Sequence, residues 1–262
     1  MKLSTVRSRL MKSGARAFGF ASSVPPLTPH LPHPRYPSLM RAHLVIGLLA
    51  LTLAGCQSDH RRDRSPPPRP GGDGPATVAM PSARETKACL ADLRRADVRF
   101  SPVPDQDFGG GCSAIGSVMV SDVGVPVTNL KAMRCGLARS FTDWARGSVA
   151  PAARRYFGRN LMRIDSLGSY ACRNVIGNAY SAGRRSGHAI ANAVDIAAFV
   201  LDDGRRITVL QGWQSRDRDE REFLRSIHDA ACQRFGTVLS PDYNSAHANH
   251  FHLEDDRAGF CR

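Results

Sequence analysis

Two short segments far apart in the chain, residues 186–195 (SGHAIANAVD) and 247–252 (HANHFH), constrain the fold more than any other feature. They hold His188, His247, His250 and His252, four of the nine histidines, together with the carboxylate of Asp195. Zinc takes nitrogen and oxygen ligands of this kind in tetrahedral geometry, and a catalytic site uses three of them and leaves a position for water. His250 and His252 are two apart in an expected strand, so their side chains share a face. Ala189, Ala191 and Ala193 let the backbone turn closely between His188 and Asp195. One mononuclear zinc site with a catalytic base beside it accounts for both segments, and the fold has to bring them together.

The start of the chain speaks of export. Residues 40–56 (MRAHLVIGLLALTLAGC) run from an arginine through a short apolar stretch to small residues and a cysteine. That is a secretory signal, too short to span a bilayer. Its ending, Leu53-Ala54-Gly55-Cys56, resembles a bacterial lipoprotein signal, cleaved before Cys56 with the cysteine then lipidated. Gln57, where an Asp would retain the protein at the inner membrane, favours the outer membrane of a Gram-negative cell, with the domain facing the periplasm. Residues 1–39 are rich in Pro, Ser and Arg and carry no fold signal, and Met1 and Met40 are both candidate starts. Beyond Cys56 stand Cys89, Cys112, Cys135, Cys172, Cys232 and Cys261, an even set with no CxxC pair. Such a set fits three disulfides in an oxidising compartment better than a thiolate metal site, with the pairing left open.

The formal net charge of +13 is uneven, because residues 1–55 carry seven basic residues and no acid. The remainder is about +6, without a basic stretch interleaved with aromatics, so nucleic acid is excluded as the expected partner. Residues 56–84 are polar and rich in Pro and Gly, a tether that starts at the lipidated cysteine. Ser65-Pro66-Pro67-Pro68 within it reads as a stiff spacer. A single domain over 85–262 follows. Its first third alternates short extended pieces with turns, and Gly109-Gly110-Gly111-Cys112 is a disulfide-pinned loop. The three- and four-residue spacing of Leu130, Met133, Leu137, Phe141 and Trp144 predicts an amphipathic helix over 128–146. A shorter helix over 148–158, a strand over 163–173 and apolar runs at 194–201 and 206–213 come next. Asp202-Asp203-Gly204 joins those runs as a hairpin turn. A helix over 217–235 and strands at 237–239 and 251–253 complete an α+β class, a small antiparallel sheet with flanking helices.

At this point the residues resemble a known family. Ser186-x-His188-x-x-Ala191-x-Ala193-x-Asp195 resembles the SxHxxGxAxD motif of zinc D-Ala-D-Ala carboxypeptidases and related LAS-type peptidoglycan peptidases, and His247-x-x-His250-x-His252 resembles the second half of their site. The whole stretch from about Cys89 to the end is similar to the extensin-like C-terminal family of bacterial envelope proteins, through PAARRYFG, GSYACR, HAIANAVD, FLRSIHDAAC, VLSPDYN and HFHLE. The resemblance implies one zinc per chain held by His188, Asp195 and His252, with His247 as general base. It also implies that His250 shapes the pocket or hydrogen-bonds the transition state and that Arg173 holds the substrate carbonyl or carboxylate, in a D-Ala-D-Ala peptidase-like fold. Two departures stand out: Ala191 replaces the motif glycine, and a histidine occupies the base position where many relatives use Glu. Glu254 lies two residues beyond the third ligand, outside that slot.

The expected function is hydrolysis of an amide bond in peptidoglycan stem peptides. A binding module that grips the wall peptide without cutting it is the alternative, and a metal-free disulfide scaffold a third. The remaining candidates read as structural. Arg184 and Arg185 belong to a solvated loop, Ser186 hydrogen-bonds within its loop, Trp144 and Trp213 are core or rim, and His228 is an exposed helix residue.

Overall fold

The computed structural model describes residues 78–262. The extension, the signal, Cys56 and all but the last residues of the tether lie outside them. In chain order the elements are α1 (Ala83–Arg95), β1 (Arg99–Pro102), β2 (Asp107–Gly109), β3 (Cys112–Ser113), β4 (Ser117–Asp122), β5 (Val127–Thr128) and β6 (Met133–Arg134). They continue as α2 (Cys135–Trp144), a π turn (Ala145–Val149), α3 (Ala150–Phe157), β7 (Leu161–Gly168), β8 (Ala193–Leu201) and β9 (Arg206–Thr208). The chain closes with α4 (Val209–Gly212), α5 (Arg218–Cys232), β10 (Thr237–Leu239), β11 (Phe251–Glu254) and β12 (Phe260–Cys261). The class is α+β, as expected. Among the described residues no helix is long and apolar enough to cross a membrane.

The main sheet has seven strands in the order β12-β10-β11-β8-β7-β5, with β9 also paired to β8. It is mixed rather than wholly antiparallel, because β5 runs parallel to β7 and β12 parallel to β10. Strand β8 is its spine. Seven of its nine residues are buried, as a strand covered on both faces requires. Phe141 and Trp144 of α2, Phe199 of β8 and Phe223 of α5 are fully buried, and Phe199 meets both Trp144 and Phe223 edge-on. Trp144 satisfies its indole by donating to the Ile227 carbonyl at 2.9 Å. Trp213 is equally buried, so both tryptophans are core.

Two helices depart from the expected boundaries. Helix α2 starts at Cys135, not at 128. Asn129 takes a left-handed conformation (φ 59°), and Met133-Arg134 pairs with β4, so Leu130 and Met133 share the apolar spacing without sharing the helix. Helix α1 stands where extended pieces were expected, and it takes the last residues assigned to the tether. Its stripe is narrow, with only Cys89 and Leu93 buried. Its start is explicit, because Ser82 accepts from the Glu85 N–H while Glu85 accepts from the Ser82 N–H, a reciprocal capping box. The expected strand over 163–173 is Leu161–Gly168, and the run at 206–213 is three strand residues followed by a helical turn capped by Thr208. The second helix, α5 and the Asp202-Asp203-Gly204 hairpin stand as expected.

Three disulfides form: Cys89–Cys135, Cys112–Cys172 and Cys232–Cys261, with Cα atoms 5.5 to 6.0 Å apart. They tie α1 to the start of α2, the glycine hairpin to the segment before His188, and the end of α5 to β12. Replacing Ser82 by Ala removes the α1 cap and is expected to cost about 1 kcal/mol. The measurement is the urea midpoint of the oxidised protein, which falls while the slope of the transition stays the same.

Candidate metal centre

Strand register places the first two groups. Asp195 of β8 lies directly opposite His252 of β11 in the antiparallel ladder, so both side chains project from one face. His252 Nδ1 lies 2.8 Å from Asp195 Oδ1. The third group comes from a loop. Ser186 accepts from the His188 N–H and opens a 3-10 turn (Gly187–Ile190), which Ala191 closes at φ 54°, ψ 27°. That turn aims His188 Nε2 to 3.1 Å from Asp195 Oδ2 and 3.2 Å from His252 Nδ1. The ligand atoms of His188, Asp195 and His252 all fall within 4.8 Å of one another, and all three residues are buried.

The second nitrogen of each imidazole decides what this cluster is. His188 Nδ1 lies 2.6 Å from the Ser169 carbonyl, which only accepts, so Nδ1 carries the proton and Nε2 presents a lone pair. His252 Nε2 lies 2.7 Å from Glu254 Oε1 and donates to it. Two imidazole nitrogens and a carboxylate oxygen thus converge, and each imidazole is held from behind by an acceptor. Lone pairs at such separations repel unless positive charge sits among them. The protein alone answers with a proton. Burial works against a His252 cation, but the Asp195 and Glu254 carboxylates on its two nitrogens overcome that and raise its pKa to about 10. Burial also disfavours the Asp195 carboxylate, yet its bonds to His188 and His252 hold it well below the usual range. A divalent cation meets the same demand with more charge, and the backing acceptors are those that orient metal-bound histidines. The donor set fits zinc.

The other expected site residues are drawn to the same cleft, of about 230 Å³. His247 is buried, its Nδ1 2.7 Å from Asn244 Oδ1. Taken as Nδ1–H donating to the amide oxygen, that leaves Nε2 as the free base. Burial, then the neighbouring His252 and His250, lower its pKa to about 4, so it is neutral at ordinary pH. His250 stands just before β11 rather than within it, with Nε2 3.5 Å from Asp195 Oδ1, and burial lowers its pKa. Arg173 sits at the mouth, a third exposed, 3.8 Å from Asp195 Oδ2.

Glu254 is the residue that sequence reasoning passed over. The alternation that puts His252 on the site face also puts Glu254 there, and that was the available signal. Gly187 belongs with it, because a Cβ on Gly187 would come within 2.4 Å of the Glu254 carboxylate. Ser186 is a loop hydrogen-bonder, as expected. Arg185 is exposed, as expected, and donates to the Gly110 carbonyl at 2.6 Å. His228 corrects its expectation. It is half-buried, with its ring against Trp213 and Phe251, and its Nε2 lies 3.8 Å from the sulfurs of Cys232 and Cys261. Helix α5 turns that residue toward the sheet rather than to solvent, and the two sulfurs are bonded to each other, so this group offers no thiolate.

Residues 87–262 match the family described as Extensin-like protein C-terminus. The chain belongs to that family. No curated protein and no solved structure matches the chain. The family model spans every group of this extensin-like site, from Ser169 and His188 to Glu254.

Ala191 and Gly187 predict opposite responses to a single methyl group. Ala191→Gly relieves a left-handed alanine and is expected to raise stability by about 1 kcal/mol. Gly187→Ala drives a methyl into the Glu254 carboxylate and is expected to lower it by about 1–3 kcal/mol. Urea unfolding of the two variants checks the signs.

Proposed function

We propose that the chain is a lipid-anchored cell-envelope protein whose 85–262 domain is a zinc peptidase, akin in fold and site to the zinc D-Ala-D-Ala carboxypeptidases, that hydrolyses an amide bond in peptidoglycan stem peptides. The observation that carries the reading is the convergence of His188 Nε2, His252 Nδ1 and Asp195, with the outer nitrogens of both imidazoles tied to Ser169 and Glu254. These three residues would hold the ion, which when bound supplies a Lewis acid and lowers the pKa of a nearby water.

The chain's own residues do the rest. His247, neutral and with Nε2 free, accepts the proton that a water loses as it adds to the scissile carbonyl. The same imidazolium then gives that proton to the departing amine as the C–N bond breaks. Arg173, charged and accessible at the mouth, holds the peptide carboxylate or the carbonyl oxygen. His250 borders the same space and limits what fits beside Asp195. The envelope location rests on the Cys56 signal and agrees with the three disulfides, which persist in oxidising compartments.

A second reading, a metal-stabilised module that grips a wall peptide without cutting it, draws on one observation. Both carboxylates of the site face imidazoles, so the free base is a histidine where many related peptidases use Glu. The experiment separates the two. The oxidised protein is expected to hold about one zinc per chain by elemental analysis, lost in His188→Ala. Glu254→Gln is expected to weaken zinc affinity by about 10–100-fold. His247→Gln keeps the metal and loses at least about 100-fold in kcat on isolated muropeptides. A wild-type protein that holds zinc and binds muropeptides without cleaving them establishes the second reading, and one that holds no zinc refutes both.

A further inference from the structure

Outside the metal centre, the described residues enclose a larger cavity, of about 370 Å³, between α1 and the start of α2. Its wall includes Arg134, the last residue of β6. Arg134 is 4 % exposed, and burial lowers the pKa of its guanidinium, with no carboxylate paired to it among the described residues. Among the described residues its terminal nitrogens reach only neutral groups, the Ala79 carbonyl at 3.5 Å and the Met80 sulfur at 2.8 Å. Its Nε–H has no acceptor among the described residues. A buried, unpaired guanidinium is among the costliest groups a protein can keep, and native structures keep such charges where something pairs with them.

The surroundings favour negative charge at the same spot. Helix α2 begins at the cavity, with no side-chain cap and no acidic residue in its first turn, so its N-terminal dipole is unanswered from within the helix. The rest of the lining limits how much negative charge enters. Glu85 is committed to Ser82, and Asp92 to Arg95 and Arg139. Asp255 accepts a 3.4 Å hydrogen bond from Ser140, and burial raises its pKa. Three acids around two arginines, Arg134 and Arg139, repel a dianion but tolerate a single carboxylate, above all one whose molecule also carries an ammonium for Asp255. A Cβ on Gly136 would lie 2.8 Å from Asp255 Oδ2, so the glycine leaves room between that acid and the helix start.

We propose that this cavity is a binding site for the carboxylate of an amino acid or a peptide end, with Arg134 as its charged anchor. A small rotation that exposes the unused Nε–H, which is closed off from solvent, gives the guanidinium a planar edge that matches a carboxylate in shape as well as charge. The site is separate from the metal cleft but backs onto its loop. The Arg134 N–H donates to the Ala191 carbonyl at 2.7 Å, and Asn192 of the same loop donates to the Asp255 carbonyl at 2.8 Å.

The test is tryptophan-fluorescence melting of the purified full chain, with EDTA present so that carboxylates cannot act through a metal. The probes are glycine, diglycine, acetate and inorganic phosphate at about 20 mM. Glycine or diglycine is expected to raise Tm by about 4 °C and phosphate to leave it unchanged. A glycine response assigns a free amino acid, and a response to diglycine alone assigns a peptide end. In Arg134→Met the unliganded Tm rises, because an apolar chain replaces an unpaired charge, and the response to glycine and diglycine disappears. Thr86→Phe, which fills the cavity from α1 and leaves Arg134 in place, abolishes the same response and keeps the proposal testable if the first variant does not fold. Equal responses in wild type and both variants, a shift with phosphate or acetate alone, or no shift with any probe overturns the proposal.

Discussion

The pairing of Asp195 with His252 across β8 and β11 is the contact on which the rest of the structure depends. Side chains on a strand alternate with a period of two, so a slip of one residue would turn His252 to the opposite face and carry Glu254 with it. The register is held on both sides, by Leu239 of β10 opposite His252 and by Gly168 of β7 opposite Asp195. Apolar burial enforces it too. Val194, Ile196, Phe251 and Leu253 occupy the alternate positions and are completely buried, so a slip would put them where the imidazoles and carboxylates now stand. The hydrophobic core and the polar site are two faces of one register.

That arrangement explains how so many polar groups lie buried together. His188, Asp195, His247, His250 and His252 are each less than a tenth exposed. Left unpaired they would be ruinous, but each has a partner: the Ser169 carbonyl for His188, Glu254 for His252, Asn244 for His247, Asn249 for His250, and the His188 and His252 imidazoles for Asp195. The disulfide between Cys112 and Cys172 anchors the chain just after Ser169 and Tyr170, which fixes where that carbonyl can stand. A loop made of Ser169–Arg173 has no ladder to hold it. The cross-link and the His188 bond do so instead.

How much of this was legible in the sequence follows from what each signal measures. The spacing in HANHFH and HAIANAVD reports local chemistry, and the groups it singled out do meet. The strand alternation is legible at His252 and equally so at Glu254, whose place two residues beyond the third ligand sets it outside the base position of the motif. Helix α2 was drawn too long because Leu130 and Met133 share its apolar spacing. What ended it was a tertiary event, the pairing of Met133-Arg134 with β4. Helix α1 was hidden because only Cys89 and Leu93 face inward, and its announcement lay in the Ser82–Glu85 box rather than in periodicity. The buried guanidinium of Arg134 was invisible, since an arginine within the expected helix over 128–146 carries no sign of burial until the fold closes over it.

The two departures from the peptidase pattern weigh differently once their backbones are known. Ala191 holds a left-handed conformation that a glycine takes more readily, at a strain of about 1 kcal/mol. Its carbonyl bond to Arg134 and the bond from the Asn192 N–H to the Gly187 carbonyl hold the turn in that shape. The histidine at position 247 changes chemistry rather than shape. A buried glutamate there would add a third carboxylate beside Asp195 and Glu254. An imidazole held neutral by burial supplies a lone pair without that charge, in a cluster already balanced around a single cation. With no carboxylate at position 247, Glu254 backs His252 without a rival charge beside it.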